Sequence, residues 1–521
     1  MKKLPLIHII SLFLCPPMMA QVPFSQFYEL ENPNTPGKNW SHALLAHENG
    51  FVLLNGGNCN GNTEACGGVH IIDSNGEALD RKPFDFFEYP PYPAFDIIAS
   101  SDEHYLVSGL EVLPGINPPD YNKLRMWMMK LKPNGDTLWV KRYDDPTEDD
   151  EDANDILETP GKDGYYLQGD VGKDFHYFYK ALIRTDLNGN ELWRKKIKNG
   201  NAYMMRGNMV LLSSNDKIAM VYESGPGVGY LKTWVSLLDT LGNELWSYAL
   251  ISTSAAPWQP IIRVLPSGNM LVLCNSDTLI SPDQFPPVPY FYEIDTSGQI
   301  LREGNLNSAE KTQIINRMRI SSDGNILIAG KYIDHITDKQ SSWIAKIDLA
   351  TWQPIWQRFY ALPQNIATNL YGGFIDIVET PWGGLACAGK MTHELPGGGI
   401  GDTDAWLLSL DSEGCFTPGC GMDYIILDIG EIIHVEPSEQ FLVFPNPAEK
   451  DVSVRRLAKE LSGNVEIFVF DTYGRKVSAS FLAKGALDTK LDVGNLPAGV
   501  YFIQVTSGVQ ILQTSKLFKI K

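Results

Sequence analysis

Through the middle of the chain, short apolar runs alternate with Gly, Asn and Asp turns, and within many runs apolar and polar positions alternate. A period of two marks half-buried strands, and an Asn-Gly pair between two such runs marks a hairpin, because the favoured two-residue turn needs positive φ at both central positions. The runs recur in a fixed order: an apolar strand, a turn, a second apolar strand often ending in Gly, a variable loop, a third strand, another turn, and a strand carrying Leu-Trp. The turn after the third strand falls at Asn75-Gly76, Asn134-Gly135, Asn188-Gly189, Leu241-Gly242, Ser297-Gly298, Ala350-Thr351 and Glu413-Gly414. Seven units spaced 53 to 63 residues apart are the signature of a four-stranded repeat with one long loop.

Aromatic residues keep phase with these turns. Trp127, Trp234, Tyr290, Trp343 and Trp406 stand eight residues before the second turn residue, Trp139, Trp193 and Trp246 four after it, and Trp356 five after it. Rings repeating in phase inside strands read as packing between repeats rather than as a sugar-stacking set. An all-β chain of short hairpins at this period predicts a β-propeller, here of seven blades. The seventh unit ends at Gly414 without its Leu-Trp strand, whereas Phe24-Ser25-Gln26-Phe27-Tyr28 precedes the first unit. That strand is expected to complete the last blade and close the ring, which removes exposed sheet edges.

The two ends of the chain read as addresses. Lys2 and Lys3 precede an apolar run from Leu4 to Cys15, then Pro16-Pro17-Met18-Met19-Ala20, the layout of a secretory signal peptide over 1–20 cut after Ala20. Lipid attachment at Cys15 is the weaker alternative, since Leu14 is not a small residue. At the other end stand Phe444-Pro445-Asn446-Pro447, then Val465 to Phe470 with Asp471-Thr472-Tyr473-Gly474-Arg475, then Leu496-Pro497-Ala498-Gly499-Val500-Tyr501, and a basic Lys516-Leu517-Phe518-Lys519 tail. This stretch resembles the type A C-terminal sorting domain of type IX secretion substrates. The resemblance implies an immunoglobulin-like β-sandwich over 441–521, recognised by the type IX secretion machinery, and a protein carried across the outer membrane of a Gram-negative cell to its surface or beyond. Pro445, Asn446, Pro447, Asp471, Gly474, Arg475, Pro497, Gly499 and Tyr501 occupy the matching motif positions. The expected organisation is a signal peptide at 1–20, a propeller over 21–417, a connection over 418–440 and the sorting domain over 441–521. Tyr424 to Ile429 is too apolar for a free linker and is expected to pack as a strand.

Charge divides the chain at the same place. Residues 441–521 carry eleven Lys and Arg against seven Asp and Glu, and the signal two Lys, so the net −19 of the chain leaves −25 on residues 21–440. Such a body repels nucleic acid and anionic lipid. Cys59 with Cys66 and Cys415 with Cys420 sit close in Gly-, Asn- and Pro-rich loops and predict local disulfides in an oxidising destination. Cys274 and Cys387 fall within strands, as buried thiols do.

The longest variable insertion follows the second strand of every unit, so these insertions emerge on one face of the ring. Asp120, Tyr121, Asp174, His176, Tyr177 and Tyr290 on that face are candidate contacts for a glycan or a surface-protein loop. No cofactor is implied by any motif. Asp402 and Asp404 are candidate calcium ligands because two hard oxygen donors lie on one side of an extended segment. There is no His-Glu-x-x-His, Gly-x-Ser-x-Gly or phosphate loop ending in Gly-Lys-Ser/Thr. The leading expectation is a non-catalytic binding or adhesion module. A polysaccharide-cleaving enzyme using axial carboxylates and a structural surface-layer component are the competing readings.

Overall fold

A computed structural model of the chain describes residues 23–28, 38–59, 64–84, 91–113, 123–145, 150–173, 176–199, 204–225, 231–254, 260–277, 287–306, 311–334, 339–361, 372–395, 399–416, 420, 424–426, 441–444, 447–456, 465–472, 475–483, 486, 488–507 and 510–520. The predicted signal peptide lies outside these. The described residues are all-β and divide into two compact units, 1–416 with 421–426, and 417–420 with 427–521.

The first unit is a β-propeller. Six four-stranded antiparallel sheets follow one another over 38–83, 91–143, 150–199, 204–254, 261–305 and 311–361, and a seventh joins 372–410 to the N-terminal strand Phe24–Tyr28. In every sheet, strands adjacent in sequence pair as antiparallel neighbours, and each first strand touches the first strands of both neighbouring sheets, so seven first strands line the inside of a closed ring. Phe24 pairs with Ser409 and Tyr28 with Ala405, the closure expected from the sequence. Tyr424–Ile426, in the apolar stretch expected to pack as a strand, is a parallel fifth strand beside Pro354–Ala361.

The turns depart from the expected geometry. At Asn75, Asn134 and Asn188 φ is not positive; only the following glycine is left-handed. At Asn75 and Asn188 the cause is an aspartate placed three residues before the glycine; at Asn134 that position is Lys132, and the Asn134 side chain accepts from Asp136 N at 3.2 Å. Asp73 Oδ1 accepts from the Asn75 and Glu77 N–H groups at 2.8 and 2.9 Å, and Asp186, Asp239, Asp295 and Asp411 repeat the arrangement. The side chain replaces backbone partners and builds a type I turn followed by a left-handed residue and a bulge. In the first six sheets the bulged residue is the aliphatic of the Leu-Trp pair or its equivalent: Leu79, Leu138, Leu192, Leu245, Leu301 and Ile355 are skipped in the pairing and 43% to 65% exposed. The predicted insertions are also shorter than expected, because pairing continues into them: the first hairpin runs to Cys59 and resumes at Glu64, and the last runs to Leu395 and resumes at Gly399.

The tryptophan after four of these bulges explains the other half of the repeat. Trp139, Trp193, Trp246 and Trp356 lie against the turn glycines of the next sheets, Gly189, Gly242, Gly298 and Gly414, and Phe24 lies against Gly76, sealing the last seam. Tyr28, Tyr143 and Tyr360 donate hydroxyl hydrogen bonds to the carbonyls of Gly76, Gly189 and Gly414 at three of these seams. On the third strands Trp127, Trp343 and Trp406 are fully buried, and Trp406 stacks on Phe374 at 4.9 Å between ring centres.

The second unit is two antiparallel sheets around one apolar core of Phe441, Val452, Val454, Ile467, Val469, Ile503, Val505 and Leu517 with their neighbours. One sheet is three-stranded (Phe441–Phe444, Asp451–Arg456, Asp488–Asp492). The other is four-stranded in the order Lys476–Leu482, Val465–Asp471, Gly499–Ser507, Gln510–Lys519.

Candidate functional site

The feature most capable of chemistry lies on the inner strands of the propeller. Six of the seven first strands carry a register shift, placed immediately before Ala43, Asp96, Asp155, Asn208, Arg317 and Asp376. A bulge leaves a backbone N–H without its ladder partner, and a buried N–H must be paired. Side chains at this position in the preceding sheet supply the partner. Asp376 Oδ2 accepts from Leu44 N at 3.0 Å and Asp155 Oδ2 from Met209 N at 2.6 Å; Asn208 Oδ1 accepts from Ile262 N at 3.2 Å in the one first strand without a register shift. Asn208 also donates to Asp155 Oδ2 at 2.8 Å.

Arginines from the fifth and sixth sheets neutralise these groups. Arg317 Nε lies 3.1 Å from Asp376 Oδ1, and its Nη2 lies 3.9 Å from Asp96 Oδ1 on the second sheet. Arg319 Nη2 reaches both oxygens of Asp376 at 2.9 and 3.1 Å, and Arg263 Nη1 donates to Asn208 Oδ1 at 2.6 Å. Burial opposes ionisation of Asp376, but Arg317, Arg319 and the Leu44 N–H outweigh it and hold the carboxyl below its usual range. Burial raises the pKa of Asp96, against the pull of Arg317, and raises that of Asp155 well above the ordinary value, helped by the charge of Asp96. The two carboxyls thus influence one another's ionisation. Burial and the two neighbouring guanidiniums lower Arg263 to about 10. Arg319, with its side chain one-third exposed, faces solvent more than any other arginine or aspartate paired here.

Sequence reasoning missed this cluster. Its readable signal was a polar residue, Asp96, Asp155, Asn208, Arg317 or Asp376, recurring at one place in the first strands.

The predicted ligand-face residues are not brought together among the described residues. Asp120, Tyr121 and Asp174 lie outside them. His176 and Tyr177 open the strand His176–Asp186, but their side chains lie outside the description. Tyr290 is half-buried in the strand Pro287–Ile294, opposite Cys274, and packs on the core. Asp404 is buried in the strand Gly399–Leu410 opposite Met391, and the side chain of Asp402 lies outside the description. Among the described residues no group of three or more His, Cys, Asp or Glu could hold a metal ion.

Cys415 and Cys420 form a disulfide. Cys59 and Cys66 sit on paired strands but out of register, Cys59 opposite Glu64 and Cys66 opposite Gly57, with side chains outside the description. Cys274 and Cys387 are free and buried, and burial pushes the Cys387 thiol far above the range of a nucleophile.

In the second unit the sorting-motif residues build turns and corners. Asp471 pairs with Tyr501 across two strands. The Asp471 carboxylate accepts from Arg475 N at 2.9 Å and from its Nε at 2.8 Å, closing the hairpin. The buried Tyr501 donates its hydroxyl to the Pro497 carbonyl at 2.9 Å, a tyrosine corner ahead of the strand that Gly499 begins. Pro447 is exposed beside Ala448, whose N–H and C=O bond Phe518 O and Ile520 N on the last strand. Pro445, Asn446 and Gly474 lie outside the described residues.

Residues 442–520 match the family described as secretion system C-terminal sorting domain. The chain is thus a β-propeller protein with a type IX sorting domain, exported by that system to the cell surface or the extracellular space. No curated protein sequence matches the chain. Solved structures similar to it are β-propellers at low identity. Puromycin hydrolase aligns at TM-score 0.36 and 10% identity, over 69% of this chain and 59% of its own. An α-L-arabinanase of Penicillium chrysogenum aligns at 0.36 and 10%, over 60% and 92%. The β-propeller domain of the trilobed protease from Pyrococcus furiosus aligns at 0.34 and 11%, over 70% and 88%. The chain spans less than two-thirds of the length of the puromycin hydrolase chains it matches.

Proposed function

We propose that the propeller is a non-catalytic binding module for a glycan or a surface protein, presented outside the cell by the sorting domain. The observation that carries this reading is the state of the inner carboxylates. A glycosidase needs two carboxyl groups roughly 5–10 Å apart, free to reach a sugar and a water. Asp376 is instead tied to two guanidiniums and a backbone N–H, and Asp155 to Asn208 and Met209 N. The N–H contacts repair bulges and the guanidiniums neutralise Asp376, so the cluster reads as the inner fastening of the ring. Ligand contact then falls to the loops between second and third strands, where Asp120, Tyr121, Asp174, His176 and Tyr177 are the candidate groups, and calcium at Asp402 and Asp404 is a candidate support for the same face.

One observation favours the enzyme reading: burial and the charge of Asp96 raise the Asp155 carboxyl well above its ordinary value, as in the carboxyl of an acid catalyst. The test is a glycan-array and polysaccharide-hydrolysis screen on the purified secreted protein, with calcium and with chelator, repeated with Asp155→Asn. Binding without sugar release, unchanged by Asp155→Asn, is the expected outcome. Sugar release that Asp155→Asn abolishes would overturn the proposal, and binding lost in chelator alone would place calcium on the binding face.

A further inference from the structure

The two sheets of the sorting domain have opposite outer faces. On the three-stranded sheet the outward positions are Asp451, Ser453, Arg455, Asp488, Lys490 and Asp492, with Arg455 and Asp488 paired at 3.0 Å. That is the polar face expected where a sheet meets water. On the four-stranded sheet the outward positions next to Glu466 and Gln504 are Phe468, Phe470, Phe481, Val500, Phe502 and Phe518. Phe481 is 63% exposed and Phe518 43%. Pairing makes this one surface: Phe470 is opposite Phe502, Val500 opposite Phe518, and Glu466 opposite Phe481. Lys476 and Lys516 hold its margin, with Nζ 3.9 Å from the Phe468 ring and 5.1 Å from the Phe518 ring.

Five phenylalanines on the outside of one sheet, opposed by a charged outer face on its partner, are not a by-product of burying the core, because Ile467, Val469, Ile503 and Val505 already fill it from the other side. Exposed apolar area of this kind marks an interaction surface. The same strands lie within the stretch that matches the sorting domain, a domain whose role is to be recognised.

We propose that this aromatic face, and not the charged one, is the surface that the type IX export machinery grips. Its occupant is a component with an apolar groove bordered by carboxylates, which would receive the phenylalanines and meet Lys476 and Lys516. The inference concerns the sorting domain and stands apart from the reading of the propeller.

The experiment is export of the full-length chain from a Gram-negative host with a working type IX system, followed by cell fractionation. Phe481→Ser with Phe518→Ser, Lys476→Glu with Lys516→Glu, and Lys490→Ser on the opposite face are compared with the parent, and the urea unfolding midpoint of each purified protein is measured alongside. The expected result is at least a tenfold loss of surface and extracellular protein for both aromatic-face pairs, with folded protein retained in the periplasm, midpoints unchanged and Lys490→Ser exported normally. Should the serine pair lower the midpoint, the charge-reversed pair, which leaves the core untouched, decides. Normal export of the charge-reversed pair, or equal loss in Lys490→Ser, overturns the proposal. So does concentration-dependent dimerisation of the parent that Phe481→Ser abolishes while export persists, because the occupant would then be a second copy.

Discussion

Tyr28, Tyr143 and Tyr360 illustrate how single atoms hold the ring at its seams, each hydroxyl satisfying a turn carbonyl of the neighbouring sheet. Replacing each by Phe keeps the ring and leaves a buried carbonyl short of a partner, so a loss of about 1–2 kcal/mol is expected at each seam. The seams are far apart, and the three losses should add within a few tenths of a kcal/mol in urea unfolding. Glu151 makes a second residue-scale prediction. Burial outweighs its hydrogen bond from Asp145 N and its attraction to Arg194, and raises it from 4.5 to about 7. A carboxyl raised in the folded state is ionised first in the unfolded chain, so its contribution falls as pH rises from about 4.5 through about 7. The inner Asp96–Asp155 pair, also raised, acts in the same direction. Unfolding free energy should therefore decline from pH 5 to pH 8, and Glu151→Gln should flatten part of that slope. A parent whose stability rises over this interval would contradict the assignment.

At the scale of the strand and turn, two kinds of glycine separate conformation from packing. Gly189 and Gly242 have φ of 74° and 75°, and a Cβ there would lie 2.8 and 2.9 Å from the rings of Trp139 and Trp193. Gly324 has φ of 86° but nothing within 4 Å of such a Cβ. Gly324→Ala should cost about 1 kcal/mol, the price of a left-handed residue with a side chain. Gly189→Ala and Gly242→Ala should cost at least about 2 kcal/mol, because a tryptophan must also move. Denaturant titration of the three variants checks this, and equal losses would show that the Trp contact contributes nothing. The same elements show why so much of the fold was legible. Turn glycines, the Leu-Trp pair and the closing strand at Phe24 are each written within a few residues, since hairpin geometry is local. The misjudged turn type came from Asp73 and its equivalents, whose side chains reach N–H groups two and four residues on and override the Asn-Gly preference.

Across the whole molecule, legibility falls with sequence separation. Asp96 and Arg317 meet from the second and sixth sheets, and Asp376 bonds Leu44 across the closing seam. No spacing rule links residues so distant, and the candidate loops could be listed from the sequence without being brought together. Beside the apolar cluster that joins the first and seventh sheets, two links at that closing seam can be removed separately. The first is a main-chain ladder and an aromatic seal from Phe24–Tyr28: Phe24 against Gly76 and Phe51, Phe27 stacked on Trp406, and Ser25 accepting from the Trp406 indole at 2.9 Å. The second is the inner contact of Asp376 with Leu44 N. Deleting Phe24–Tyr28 should remove the first and uncover the strand Gly399–Leu410 as a free edge. The expected result is a lower unfolding midpoint together with concentration-dependent association, read by sedimentation. Asp376→Asn should lower the midpoint without association, because it leaves the ladder intact while unbalancing Arg317 and Arg319. If the deletion stays monomeric at the parent's stability, the N-terminal strand is not what closes the ring, and the inner Asp–Arg cluster together with the apolar cluster of Leu44, Phe51, Leu53, Val378, Ala386 and Leu407 would have to hold the first and seventh sheets together.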